Sequence, residues 1–196
     1  MKDIANTPLV SIICSTYNHG LYISQCLDGF LMQKTNFPFE ILIHDDASTD
    51  NTPDIIREYE HNQPQVIRPI YQKENKYSKK EDIFAKYQCS RVRGKYIAIC
   101  EGDDYWIDPL KLQKQIDFLE NNPDYGMIYT TSKVYNQKEG KIEEDIIGRE
   151  FNGYIELLSG NCIPTLTTCI RSSLVMEYLK EVEPKSKNWL MGDYPM

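Results

Sequence analysis

Apolar and polar positions alternate between two periods along this chain, and the alternation predicts a regular order of elements. Residues 10–15, VSIICS, form a β-branched apolar run after Pro8, and Leu21, Cys26, Leu27, Phe30 and Leu31 follow on one helical face. Residues 39–44, FEILIH, again read as a strand. Thr52 before Pro53 predicts a helix start with a capping hydroxyl, and Ile55, Ile56 and Tyr59 supply its apolar side. A short strand is expected over 67–71, a helix over 81–91 with Ile83, Phe84 and Tyr87 facing inward, and a strand over 96–100. Pro109 opens a further helix carrying Leu112, Ile116 and Leu119, and a strand over 127–131 closes the series. Strands and helices alternating at this spacing imply right-handed crossovers and an α/β fold, a mainly parallel sheet with helices on both faces. Residues 137–153 are charged and are expected to form a surface loop or excursion.

In such sheets ligands bind beyond the carboxyl ends of the strands, which directs attention to the loops after 15, 44 and 100. The third of these reads CEGDDYWIDP and places Asp103 and Asp104 directly after an apolar run. Two carboxylates about 5 Å apart repel by roughly 3 kcal/mol at an effective dielectric of about 20, so a cation is expected beside them. Asp45 and Asp46 end the second strand in the same way, which brings four carboxylates to one rim. The first loop, STYNHG, and the second, DDASTDNT, offer neither GxGxxG nor GxxxxGK, so both common phosphate cradles are absent. A hard divalent cation, Mg²⁺ or Mn²⁺, shared by one or two carboxylates, waters and substrate phosphates fits this rim, and the implied ligand is a nucleoside diphosphate.

The bulk numbers narrow the choice. With 196 residues the chain is read as one domain, 1–196. A net charge of −7 argues against general affinity for nucleic acid or anionic lipid. Six cysteines without a CxxC pair read as reduced core thiols, and no apolar run is long enough for a leader or a membrane span, so a cytoplasmic location is expected. His19, His44 and His61 have no metal-ligand spacing and receive no role, and the pairs Lys79, Lys80 and Arg91, Arg93 read as surface charge.

The stretches VSIICSTYNHGLYISQCL, ILIHDDASTDNT and GKYIAICEGDDYWIDPLKLQKQIDFL resemble, in order and spacing, the motifs of the family 2 inverting glycosyltransferases of bacterial cell-surface and polysaccharide type. That resemblance runs from Leu9 to about Tyr129 and implies the GT-A, Rossmann-like fold. It implies a nucleotide-sugar donor, a UDP-sugar first, and a saccharide or lipid-linked acceptor. By the same resemblance Thr16 and Tyr17 face the base, Asp45 and Asp46 line the nucleotide site, and Asp103 and Asp104 hold the divalent cation, with Asp103 also touching the nucleotide. Glu101 stands where many relatives have aspartate, which leaves its contact with the ion open. The family's late acidic base corresponds to Asp193 in WLMGDYPM, with Gly192 in place of a common glutamate. Relatives commonly continue further, so a chain truncated after Met196 is expected, with any peripheral membrane contact made by the missing part. The alternative is a catalytically incomplete nucleotide-sugar binding module. Taken singly, DDASTDNT also reads as a turn with a helix cap, DDYW as a solvated loop, and Asp193 as a cap.

Overall fold

A computed structural model describes residues 7–160 and 162–182. In chain order its elements are β1 (Val10–Thr16), α1 (Ile23–Leu31), β2 (Phe39–Asp45), α2 (Thr52–Asn62), β3 (Ile67–Tyr71), β4 (Tyr96–Ile99), α3 (Lys111–Asn121), β5 (Met127–Ile128), β6 (Ser132–Asn136), β7 (Lys141–Ile147), α4 (Tyr154–Ser159), β8 (Cys169–Arg171) and α5 (Ser172–Val182). Six strands form one sheet in the order β3-β2-β1-β4-β8-β5, and β6 pairs with β7 as a separate hairpin. β1 is parallel to both β2 and β4, and β2 to β3, whereas β8 runs antiparallel between β4 and β5.

The alternation of the β1 side chains builds both layers. Val10, Ile12 and Cys14 point to one face, where Ile23, Cys26, Leu27 and Phe30 of α1, Ile56 of α2 and Leu112, Ile116 and Leu119 of α3 complete the larger core. Ile13 points to the other face and packs with Ile97, Ile99 and Ile170 against Cys89, Phe84, Val175 and Leu179, under residues 84–91 and α5. Helical segments therefore cover both faces, as the pattern implied. All six cysteines are free and buried.

Several local expectations change. Leu21 is 86% exposed, because α1 begins only at Ile23 and Leu21 lies in the turn before it. Thr52 does not cap α2; its N–H and hydroxyl both donate to Asp50 Oδ1, at 2.9 and 2.5 Å. Residues 84–88 form a π-turn followed by a 3₁₀ turn over 89–91, and wholly buried Gln88 donates Nε2 to Cys14 O at 2.9 Å. The charged excursion is in large part the β6–β7 hairpin, and the last expected strand shrinks to Met127–Ile128.

At the amino ends of the strands, buried Glu40 ties three of them together. Its carboxylate accepts from Ser11 Oγ (2.7 Å), from Arg93 N (3.2 Å) and from Arg93 Nε and Nη2 (2.8 and 2.5 Å). Ser11 Oγ also accepts from Gly94 N at 2.9 Å. A Cβ on Gly94 would lie 2.6 Å from Ser11 N and 2.8 Å from the Val10 carbonyl carbon, so only glycine permits this close passage. Arg91 reaches the Ile43 and Arg68 carbonyls. Arg91 and Arg93 thus serve the sheet rather than acting as loose surface charge.

Candidate functional site

Strand register decides what meets at the opposite, carboxyl rim. Thr16 is aligned with Asp45 across β1 and β2, and Asp46 N donates to Thr16 O at 3.0 Å. Past the end of β4 the chain keeps to β1 through Cys100 N to Ile13 O (3.1 Å) and Gly102 N to Ser15 O (3.0 Å). That continuation carries Glu101, Gly102, Asp103 and Asp104 level with Thr16. All three expected loops therefore lie side by side.

The loop after β1 is pinned to the loop after β2. Asn18 N donates to Ser48 Oγ at 2.8 Å, and Asn18 Oδ1 accepts from Thr49 N at 2.8 Å. Asn18 takes φ 56° and Ala47 φ 64°; asparagine tolerates that left-handed conformation, while alanine pays for it. Ser48 and Thr49 are thus structural, as their residue types suggested. His19 O starts α1 by accepting from Tyr22 N and Ile23 N at 2.9 and 2.8 Å.

Asp45 is 1% exposed. Its Oδ2 accepts from Ser48 N at 3.3 Å, and its Oδ1 is buried with no partner. Burial pushes the Asp45 carboxyl above its usual range, while the bonds to Ser48 pull it back. A buried acceptor lacking a donor suits a ligand N–H or hydroxyl. Asp46 differs: its two oxygens accept from Lys76 N (2.7 Å) and Tyr77 N (3.0 Å), so its carboxylate fastens the loop after β3. Thr16 is buried with Oγ1 turned toward Gly102 and unpaired, whereas Tyr17 is 44% exposed at the rim.

Glu101, Asp103 and Asp104 each present a carboxylate oxygen within 4.8 Å of the others. Burial, and then the charge of Asp103, push the Asp104 carboxyl up, with His19 pulling the other way. Three acidic oxygens this close, two of them exposed and that of Asp104 half-buried, fit a hard divalent cation. Beside them His19 Nε2 lies 3.7 Å from Asp103 Oδ2. Sequence reasoning passed over His19, and its position in the same rim loop as Tyr17 is the one signal that pointed to it. Trp106 anchors the far end of the acidic loop, edge-on to Phe30 (centroids 4.8 Å apart), with Nε1 donating to Leu166 O at 2.8 Å. Asp193 lies outside the described residues.

A carboxylate-lined rim at the carboxyl ends of a mainly parallel sheet is where proteins of this architecture bind their ligands, and sequence comparison gives the family. The model of the family described as "Glycosyl transferase family 2" matches residues 11–177, and the chain belongs to that family. An uncharacterized protein of Mycobacterium tuberculosis is 43% identical over 137 residues, 69% of this chain and 38% of its own length. The Escherichia coli UDP-Glc:alpha-D-GlcNAc-diphosphoundecaprenol beta-1,3-glucosyltransferase WfaP is 33% identical over 131 residues, 67% of this chain and 48% of its own length. The chain thus spans less than half of either relative. Among solved structures, residues 1–349 of Staphylococcus aureus TarS in complex with UDP-GlcNAc superpose with a TM-score of 0.64 at 20% identity, over 86% of this chain and 46% of that one. The mannosyltransferase PcManGT of Pyrobaculum calidifontis, solved with GDP-Man and Mn²⁺, gives 0.61 at 19% identity, over 87% of this chain and 46% of that one. At these identities the two structures speak to the fold, which is GT-A. Among the described residues no helix is long and apolar enough to cross a membrane.

Proposed function

We propose that this chain transfers a sugar from a nucleoside-diphosphate donor, a UDP-sugar first, to a hydroxyl of a saccharide or lipid-linked acceptor, with inversion, in cell-surface glycan synthesis. The observation that carries the reading is the pairing, on one rim, of Asp45 with its unpaired buried oxygen and the acidic trio at 101–104. In this reading Asp45 and Tyr17 meet the nucleoside, Thr16 and Asp46 shape the floor and wall around it, and Asp103 and Asp104 hold Mg²⁺ or Mn²⁺, with Glu101 beside them. The cation, when bound, offsets the charge that develops on the departing diphosphate. Asp193 is the proposed base, taking the proton of the acceptor hydroxyl as that oxygen attacks the anomeric carbon from the side opposite the leaving group.

Calorimetric titration with UDP and with GDP, each in Mn²⁺, in Mg²⁺ and in chelator, tests the donor half. One nucleotide is expected to bind with metal and to lose at least about tenfold in affinity in chelator, and Asp103→Ala or Asp104→Ala is expected to reproduce the chelator value in metal. Tight binding that ignores both chelator and substitution removes the cation from the reading. For the transfer half, Asp193→Asn should lower turnover of the donor by about a hundredfold or more while nucleotide affinity stays put. Turnover unchanged in that variant takes Asp193 out of the mechanism, and nucleotide binding with no turnover in the unsubstituted chain favours the binding-module alternative.

A further inference from the structure

Beside the acidic trio stands a histidine that the proposed mechanism does not use. The His19 main chain is fixed on both sides: its carbonyl begins α1, and the neighbouring Gly20 N donates to Asp50 Oδ2 at 2.9 Å. Its ring stands edge-on to Tyr22, with centroids 6.3 Å apart. That leaves little freedom of aim. Nε2 faces Asp103 Oδ2 at 3.7 Å, and Nδ1 is buried with no partner. A Cβ placed on Gly102 would lie 3.0 Å from Nδ1 and 2.6 Å from Thr16 Oγ1, so both atoms close around the glycine that leads into the acids.

With its proton on Nε2 the ring offers Asp103 a donor and leaves Nδ1 as an acceptor, while the Thr16 hydroxyl, also unpaired, lies across Gly102 from it without bonding to it. We infer that His19 is the positioning residue for Asp103: its Nε2, 3.7 Å from one carboxylate oxygen, is placed to donate to that oxygen when the group turns toward a cation, and so sets which way it faces. This inference rests on the reading of 101–104 as a cation site. Carboxylates that bind metal are themselves held by hydrogen bonds, and loss of such a partner typically costs about 10–100-fold in metal affinity. Gly102 fits the same picture, since any side chain there would occupy the space between Thr16, His19 and the acidic turn.

The test is titration of the purified chain with Mn²⁺ alone, reading free Mn²⁺ by electron paramagnetic resonance, on the unsubstituted chain, His19→Ala and His19→Gln, with thermal melting in chelator as a folding check. His19→Ala is expected to weaken Mn²⁺ binding about 10–100-fold. His19→Gln, whose amide N–H can reach the place of Nε2, is expected to recover most of it. An affinity within about twofold of the original in His19→Ala, or a loss that glutamine fails to restore, overturns the positioning role while leaving the cation site standing. A chain that binds no Mn²⁺ before any substitution removes the cation site, and this inference falls with it.

Discussion

Glu40→Ala is expected to destabilise the fold by about 3 kcal/mol, read as a drop in melting temperature on the order of 10 °C for a chain of this size. The side chain is 1% exposed and takes four of the hydrogen bonds that join β1, β2 and the turn before β4. Removing one partner of a buried charged pair costs more than the pair itself is worth, because the remaining groups stay desolvated. Arg93 and Arg68 keep partial access to water, which holds the figure at the low end of the roughly 3–5 kcal/mol range. Ser11 Oγ, wholly buried, loses its acceptor outright, while Arg93 N keeps a bond to Ser11 Oγ at 3.3 Å. Glu40→Gln, which keeps two acceptor or donor positions but not the charge, should fall between the two. A Glu40→Ala melt within about 2 °C of the original would show that the knot adds nothing to stability.

The consequence reaches the other end of the sheet. Glu40, Ser11 and Gly94 set the lateral register of β1, β2 and β4, and a slip of one residue in a strand turns every side chain to the opposite face. With the register in place, Thr16 comes level with Asp45, and Gly102 with Ser15. The distance between the knot and the rim is the length of β1, yet the first determines which carboxylates meet at the second.

What could be read in the sequence was what local pattern determines. β1, β2 and β4 are rich in apolar residues and β3 is a short mixed IRPIY, and the rule that parallel sheets bind ligands at their carboxyl ends then pointed to three loops that the fold brings side by side. β8 was not legible. It is three residues long, too short for a period, and its place between β4 and β5 comes from pairing far along the chain. The helix expected over 81–91 had the right apolar positions, but buried Gln88 reaching the Cys14 carbonyl goes with a wider turn that spacing does not encode. In the site, the acids were conspicuous by composition, whereas His19 depends on β4 running on beside β1 beyond its own strand end, a tertiary fact. Asp46 shows the converse: beside Asp45 it looked like a second site acid, and the loop after β3 has both of its oxygens.

Beneath the acidic loop lies the second large effect, and its sign depends on pH. Lys111 is 7% exposed, its Nζ donates to Gln115 Oε1 at 2.8 Å, and it sits 4.1 Å from the centre of the Trp106 ring. Burial pushes its pKa down to about 8 from an ordinary 10.5, with the Cys169 and Cys100 thiols and Asp108 pulling weakly upward. A shift of that size corresponds to a cost on the order of 3 kcal/mol for keeping the proton in the folded state. Below pH 8 both folded and unfolded chains bind that proton and the full cost is present; between about 8 and 10.5 only the unfolded chain still holds it, so the folded state gains as pH rises. The buried thiols act oppositely, since Cys89 and Cys169 are pushed up to about 12 and ionise more readily once unfolded. Subtracting the profile of Lys111→Met from that of the original chain removes Cys89 and leaves the lysine together with its coupling to Cys169 and Cys100. Chemical denaturation across pH 7 to 10.5 should therefore show Lys111→Met the more stable near neutrality, with its advantage shrinking by on the order of 3 kcal/mol toward the alkaline end. The contrary result, a flat difference with the methionine variant weaker throughout, would mean that the Trp106 face and Gln115 hold the ammonium ion well enough to offset its burial. In that case the lysine is a fastener for Trp106, and through it for the acidic loop, rather than a strain the fold carries.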